Sequence, residues 1–180
     1  MGTATLISLE EFERLDTGAD EAELLRGELI RVPPPILRHM EICHQLLTRL
    51  RGALASLRIS RPDLPLGEAY IEMGYLLSTK PRSWLRPDVS VTHRDQAAGR
   101  FYLGAPLMVF EVASDSDTAV RLKDKIAAYL ETGAAEVWVI YPDQGHAWVQ
   151  YSTGTARLET DAITSELLPG AAIPLSALLQ

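Results

Sequence analysis

Two carboxylates stand where buried strands seldom keep them. Asp88 interrupts Leu85-Arg86-Pro87-Asp88-Val89-Ser90-Val91, and Glu111 sits between the apolar run Leu107-Met108-Val109-Phe110 and Val112-Ala113. An unpaired charge in low dielectric is neutralised by a pKa shift or takes a partner. Two converging carboxylates suit a hard divalent cation such as Mg²⁺, which leaves positions for water and a phosphate oxygen. The competing reading makes Asp88 a turn cap or the partner of Arg86, and pairs Glu111 with an arginine. Lysine usage adds a third group. The chain has three lysines against fourteen arginines, and Lys123 and Lys125 follow soon after Glu111. Lysine is a compact point charge where arginine is a planar fork. Lys125 falls one turn before Tyr129, placed to lean toward Glu111 and stabilise charge on an attacking water or on the phosphorane. The plainer alternative is a lysine snorkelling from a helix edge.

The elements that would position these groups follow from hydrophobic spacing. Ser8-Leu9-Glu10-Glu11 has capping-box spacing and opens a short helix to about Leu15. Glu23 to Val32 reads as two strands around a turn at Arg26-Gly27, stopped by Pro33-Pro34-Pro35. Ile36, Met40, Cys43, Leu47, Leu50 and Leu54 recur three or four apart and predict a long helix from Ile36 to Leu57. Beyond it the period falls toward two, giving strands over Glu68–Ser78, Leu85–Thr92 and Pro106–Ala113. The last is continuously apolar, as in a central strand covered on both faces. A helix over Asp117–Thr132 ends at Gly133. A strand over Glu136–Ile140 then hairpins through Pro142 to Gly145 into Ala147–Tyr151. The tail from Ala156 adds at most one edge strand and a short closing segment. These elements sum to one domain, residues 1–180, of the α/β (α+β) class, with a central mixed sheet flanked by helices. The unit from Pro106 to Tyr141 makes a parallel crossover.

Composition narrows the function classes. At 180 residues, 47% apolar and 23% charged, the chain can bury a core and is not a disordered segment. No run approaches the roughly 18 apolar residues of a membrane helix, and Met1 to Glu10 lacks a secretory pattern. The single cysteine, Cys43, excludes an internal disulfide and a several-thiolate zinc site, so a reducing cytoplasm is expected. The net charge of −7 argues against a general nucleic-acid coat. The charge is uneven, however. Seven acids against one base occupy Ser8–Glu23, whereas Ile36–Pro62 carries Arg38, Arg49, Arg51, Arg58 and Arg61 against Glu41 alone. Lys80, Arg82, Arg86, Arg94 and Arg100 form a second basic cluster. Either cluster would meet phosphates, or simply be solvated. Ser114 lacks the Gly-x-Ser-x-Gly surroundings of a hydrolase nucleophile. No phosphate loop or dinucleotide fingerprint is present. His44, His93 and His146 are scattered, and Trp84, Trp138 and Trp148 read as core or interface.

Taken in order, several segments resemble one family. They are Ser8-Leu9-Glu10-Glu11-Phe12; Glu23 to Leu29; Pro33-Pro34-Pro35 leading to His39; Arg86-Pro87-Asp88-Val89-Ser90-Val91; Gly104-Ala105-Pro106-Leu107 leading to Glu111-Val112-Ala113-Ser114; Lys125 to Tyr129; and Gly133 to Val139. Their order and spacing resemble the Uma-two family, restriction-endonuclease-like proteins of the PD-(D/E)XK nuclease superfamily, over nearly the full length. The resemblance implies a metal site of Asp88, Glu111 and a lysine, binding Mg²⁺ or Mn²⁺ with the Val112 carbonyl as an extra ligand. In the superfamily that lysine stands two residues after the glutamate, where this chain has Ala113. The family usually supplies it from the next helix, at the position of Lys125. Arg121 departs from an acid that family members often carry one turn earlier. Glu28, and after it Glu23, matches an early acidic position near the same metal. His39 matches a helix histidine, a proton carrier or phosphate contact. The expected activity is metal-dependent hydrolysis of DNA phosphodiesters, with two copies cutting two strands. Against it stand a catalytically inactive nucleic-acid or protein interaction module on the same fold, and a homodimeric scaffold with no nucleic-acid role.

Overall fold

The computed structural model describes residues 7–12, 14, 21–79, 82–114 and 118–179. Helix α1 (Leu9–Phe12) opens on the expected capping box: Ser8 Oγ accepts from the Glu11 N–H at 3.1 Å, and Glu11 accepts from the Ser8 N–H at 2.7 Å. Its expected end at Leu15 lies outside the described residues. Strands β1 (Glu21–Leu25) and β2 (Glu28–Val32) pair around Arg26-Gly27, both at positive φ. Helix α2 runs Leu37–Ser60 and buries Ile42, Cys43, Leu46, Leu47, Leu50, Leu54 and Leu57 on one face.

Two of the expected strands are each two strands. In place of Glu68–Ser78 stand β3 (Leu66–Ile71) and β4 (Tyr75–Thr79). In place of Leu85–Thr92 stand β5 (Arg82–Leu85) and β6 (Val89–His93). Pairing of β4 with β5 and of β3 with β6 makes them one long antiparallel hairpin, bent in its middle. The bend has local causes. Glu72 takes φ 51°, Gly74 lies so close under Trp84 that a Cβ there would stand 2.5 Å from the ring, and Pro87 has no N–H for a ladder. Across the bend, the Glu72 N–H donates to the Asp88 carbonyl at 3.2 Å.

The halves of the hairpin join different sheets. Its base belongs to a six-stranded mixed sheet of order β11-β10-β9-β8-β6-β3, with β8 (Met108–Val112), β9 (Glu136–Tyr141), β10 (His146–Tyr151) and β11 (Ala156–Glu159). Its outer half joins a five-stranded sheet of order β2-β1-β5-β4-β7, where β7 is Tyr102–Leu103. The expected crossover is present: β8 and β9 are parallel and joined by α3 (Ala119–Glu131), whose N-cap Thr118 accepts from the Arg121 N–H. The tail is richer than expected, forming a separate sheet of β12 (Ala162–Thr164) and β13 (Ala172–Pro174) and a 3₁₀ turn over Leu175–Ala177.

Alternation along β8 divides the core. Met108, Phe110 and Val112 point to the α2 side, where they pack with Val89, Val91, Trp138, Ile140 and the tail residues Ile163, Leu168, Ile173 and Leu175. Val109 points the other way, to Val137, Val139, Ile126 and Tyr129 and to Ile30, Tyr75 and Leu85 of the second sheet. Glu111 shares that second direction, so the carboxylate is carried into the space among β8, α3 and the second sheet.

Candidate functional site

The end of β8 and the bend of the hairpin meet at a cleft of about 340 Å³, whose floor and walls include Glu23, His39, Glu72, Arg86, Asp88, Glu111, Val112 and Lys125. Asp88, Glu111, Lys125 and His39 are thus brought together from β8, α2, α3 and the start of β6. Glu111 is 7% exposed, and both its oxygens are engaged. Lys125 Nζ donates to Oε2 at 3.0 Å and the Tyr129 hydroxyl to Oε1 at 3.1 Å. Position 125 therefore delivers its ammonium to Glu111 from helix α3. Asp88 acts electrostatically on Arg86, offsetting part of the lowering that burial imposes on the guanidinium. Asp88 Oδ2 accepts from the Val112 N–H at 2.6 Å, and Oδ1 faces His39 Nε2 at 3.2 Å. Val112 thereby lines the cleft and holds Asp88 through its amide.

Of the two early acids, Glu23 reaches the site and Glu28 does not. Glu23 is 2% exposed; Lys125 Nζ lies 3.2 Å from its Oε2, and its Oε1 accepts from the Arg86 N–H at 2.9 Å. Glu28 pairs with Leu25 at the turn end of the β1–β2 hairpin, while Glu23 pairs with Ile30 two register positions away. Glu28 is exposed and outside the cleft. Glu72, which no pattern in the sequence marks, also lines the cleft, with Arg86 as its partner at 3.5 Å. Nothing in an isolated Ala69-Tyr70-Ile71-Glu72 pattern announces a left-handed bend. Tyr129, seen only as an apolar helix residue, is a second omission. Its spacing from Lys125, four residues on one helix face, was the available signal.

The electrostatics follow from burial. Four carboxylates (Glu23, Glu72, Asp88, Glu111) face Lys125 and Arg86 at the floor, with the exposed Arg31 and Arg121 farther out along the lining. Burial, with Asp88 next to it, pushes the Glu72 carboxyl up to about 7. Burial outweighs Lys125 at Glu111, and with Asp88 and Glu23 it raises that carboxyl above the ordinary range. Burial disfavours the Lys125 ammonium, yet Glu111, Glu23 and Asp88 together raise its pKa above normal. A floor with more acid than base, lined by carboxylate oxygens, fits a hard divalent cation.

The arginines expected to meet phosphates are committed within the chain. Arg38 pairs with Asp143 at 2.7 Å, Arg58 with Glu68 at 2.5 Å and Arg61 with Asp63 at 2.7 Å. Arg49 donates to the Ala177 carbonyl and Arg51 to the Ala69 carbonyl, each at 3.1 Å. In the second cluster Arg82 pairs with Glu10, Arg94 binds the Leu64 carbonyl and Arg100 stacks on Phe101; Lys80 lies outside the described residues. Charge counting along the sequence could not show these partners, several of which lie far away in the chain.

A mixed sheet backed by a long helix, with a carboxylate–lysine cleft at the end of a central strand, defines a nuclease-like α/β class. The family model Uma2, described as "Putative restriction endonuclease", matches residues 9–178, and the chain belongs to that family. Its fold is similar to a crystal structure described as "a putative nuclease belonging to DUF820" from Anabaena variabilis ATCC 29413. That similarity has a TM-score of 0.75 at 20% identity, covering 96% of this chain and 97% of the other. No curated protein matches the chain. No helix among the described residues is long and apolar enough to cross a membrane.

Proposed function

We propose that the protein is a metal-dependent endonuclease that hydrolyses DNA phosphodiester bonds at this cleft. The observation that carries the reading is Lys125, held at 3.0 Å from Glu111 and 3.2 Å from Glu23 beside Asp88. An ammonium has three N–H donors. One donates to Glu111 Oε2 while Glu23 stands at ion-pair distance, so a further N–H can face a water or a phosphate oxygen. That fixed positive charge stabilises the anion that develops as water attacks phosphorus. Asp88, Glu111 and the Val112 carbonyl are the groups that would hold Mg²⁺ or Mn²⁺. A cation bound there supplies Lewis acidity toward a phosphate oxygen and acidifies water. His39, hydrogen-bonded to Asp88, is placed to carry the proton between leaving oxygen and solvent. Arg121 and Arg31 line the cleft farther out, where a strand's phosphates would pass. One such cleft per chain cuts one strand, so cleavage of both calls for two copies, which light scattering tests.

The decisive experiment is cleavage of supercoiled and linear DNA with Mn²⁺ or Mg²⁺ by wild type, Asp88→Ala and Lys125→Ala. Cleavage by wild type that both variants lose supports the reading. An equal background in all three overturns it, and salt-sensitive DNA retention without cleavage would then make the protein a binding module on the same fold.

A further inference from the structure

Beside the carboxylate floor lies a chemically different group of ligands. A His39 ring nitrogen, the Cys43 sulfur and an Asp88 oxygen all lie within 4.8 Å of one another. His39 and Cys43 are four residues apart on α2, so both project from one face of the helix toward the start of β6. Asp88 is pinned by its Oδ2 bond to the Val112 amide, and its Oδ1 is the oxygen that faces His39. Cys43 is fully buried and is the chain's only cysteine, so a disulfide within the chain is not its role.

We propose that His39, Cys43 and Asp88 form a second metal site, selective for a borderline transition metal of the Zn²⁺ class. Thiolate and imidazole favour such ions over Mg²⁺, which prefers oxygen ligands alone. Tetrahedral zinc with bonds of about 2.0–2.3 Å puts its ligand atoms roughly 3.3–3.8 Å apart. The His39–Asp88 pair is at 3.2 Å already, and the separations to Cys43, none above 4.8 Å, need to close by at most about 1 Å to reach that range. Three protein ligands leave a fourth position for water or for an anion entering the cleft. An ordinary thiol without a metal is mostly S–H near neutral pH. The ion replaces that proton: a metal–sulfur bond forms, the S–H bond breaks and the proton leaves to solvent. Because Asp88 also serves the hard-ion site of the proposed nuclease, the two ions compete. This consequence, though not the site itself, rests on that reading. A Zn²⁺-class ion would then inhibit cleavage.

The test titrates Co²⁺, a spectroscopic stand-in for Zn²⁺, into the full chain under reducing conditions. The expected result is a thiolate-to-cobalt band in the near ultraviolet at one equivalent, abolished by Zn²⁺ and resistant to excess Mg²⁺. Cys43→Ala should lose the band. Cys43→Ser, which keeps size and shape, should also lose it and should bind Co²⁺ at least about tenfold more weakly. His39→Asn should weaken binding by a similar factor. Absence of the band in wild type, or its survival in Cys43→Ser, overturns the inference. Cleavage is not the readout: an inactive protein that shows the band keeps this site, and an active protein without the band loses it.

Discussion

Lys125 and Glu111 gain their value from each other and from burial. Truncating one partner of a buried ion pair strands the other, at a cost of about 3–5 kcal/mol. Lys125→Met is expected to lose stability of that order in urea unfolding. Adding Glu111→Gln should recover part of the loss, because one of the two stranded carboxylates, Glu111 and Glu23, is then gone. Tyr129→Phe removes the only hydroxyl donating to Glu111 Oε1 among the described residues and should cost about 1.5–3 kcal/mol. Residue types revealed part of this arrangement. Asp88 and Glu111 stood out because carboxylates are rare in such strands, and Lys125 because lysine is rare in this chain. Glu23 against Glu28 was not decided by residue type. Both are acids in one short hairpin, and only the pairing register separates the buried one from the exposed one. Cys43, four residues after His39, was read as a core position; its approach to Asp88 is a tertiary fact that helical periodicity does not contain.

At the scale of elements, periodicity found the helices and most strands but joined pieces that belong to two sheets. An alternating pattern records which face is covered, not which neighbour covers it, so β3 and β4 merged into one expected strand. The marks of the bend, Gly74 and Pro87, are present in the sequence, but a period of two runs across them and does not show that the chain changes sheets there. Gly74→Ala tests the bend: the new methyl meets the Trp84 ring, and overpacking of this kind costs about 1–3 kcal/mol. The same substitution should displace Glu72 and Asp88 and so weaken Mn²⁺-induced thermal stabilisation more than global stability alone explains. The start of β9 offers a pH test away from the cleft. Glu136 accepts from Trp138 Nε1 at 2.9 Å and from Ser165 Oγ at 2.7 Å, and burial raises its carboxyl above the ordinary value. A raised folded pKa means its contribution is full below the unfolded value and is lost as pH rises through the folded one. Glu136→Gln can keep both bonds, the amide oxygen accepting from Trp138 and the amide nitrogen donating to Ser165. It should therefore flatten the fall of the melting temperature as pH rises above the ordinary carboxylate range.

For the whole molecule, the partners of the α2 arginines set the electrostatics of binding. With those side chains tied to the chain's own carboxylates and carbonyls, fewer cations among the described residues are offered to phosphates; Arg121 of the cleft lining is one that faces the site. Each phosphate neutralised contributes about 0.9 to the slope of log affinity against log salt. DNA retention should therefore show a slope clearly smaller in magnitude than about −5, falling by about one unit in Arg121→Ala. A slope near about −5 would mean that the α2 arginines leave their partners on binding. Metal linkage belongs to this scale as well. An ion that binds only the folded chain raises its melting temperature, and Asp88→Asn should abolish the Mn²⁺ shift. The bent hairpin has one more consequence, for how the molecule opens. The amides of Glu72, Arg86 and Val112 donate to Asp88, Glu23 and Asp88 in turn, and their chain segments meet where both sheets are joined. Neither sheet can peel away without breaking this junction. Those three amides should exchange with deuterated solvent at a common rate, as one cooperative unit whose opening is the opening of the cleft itself.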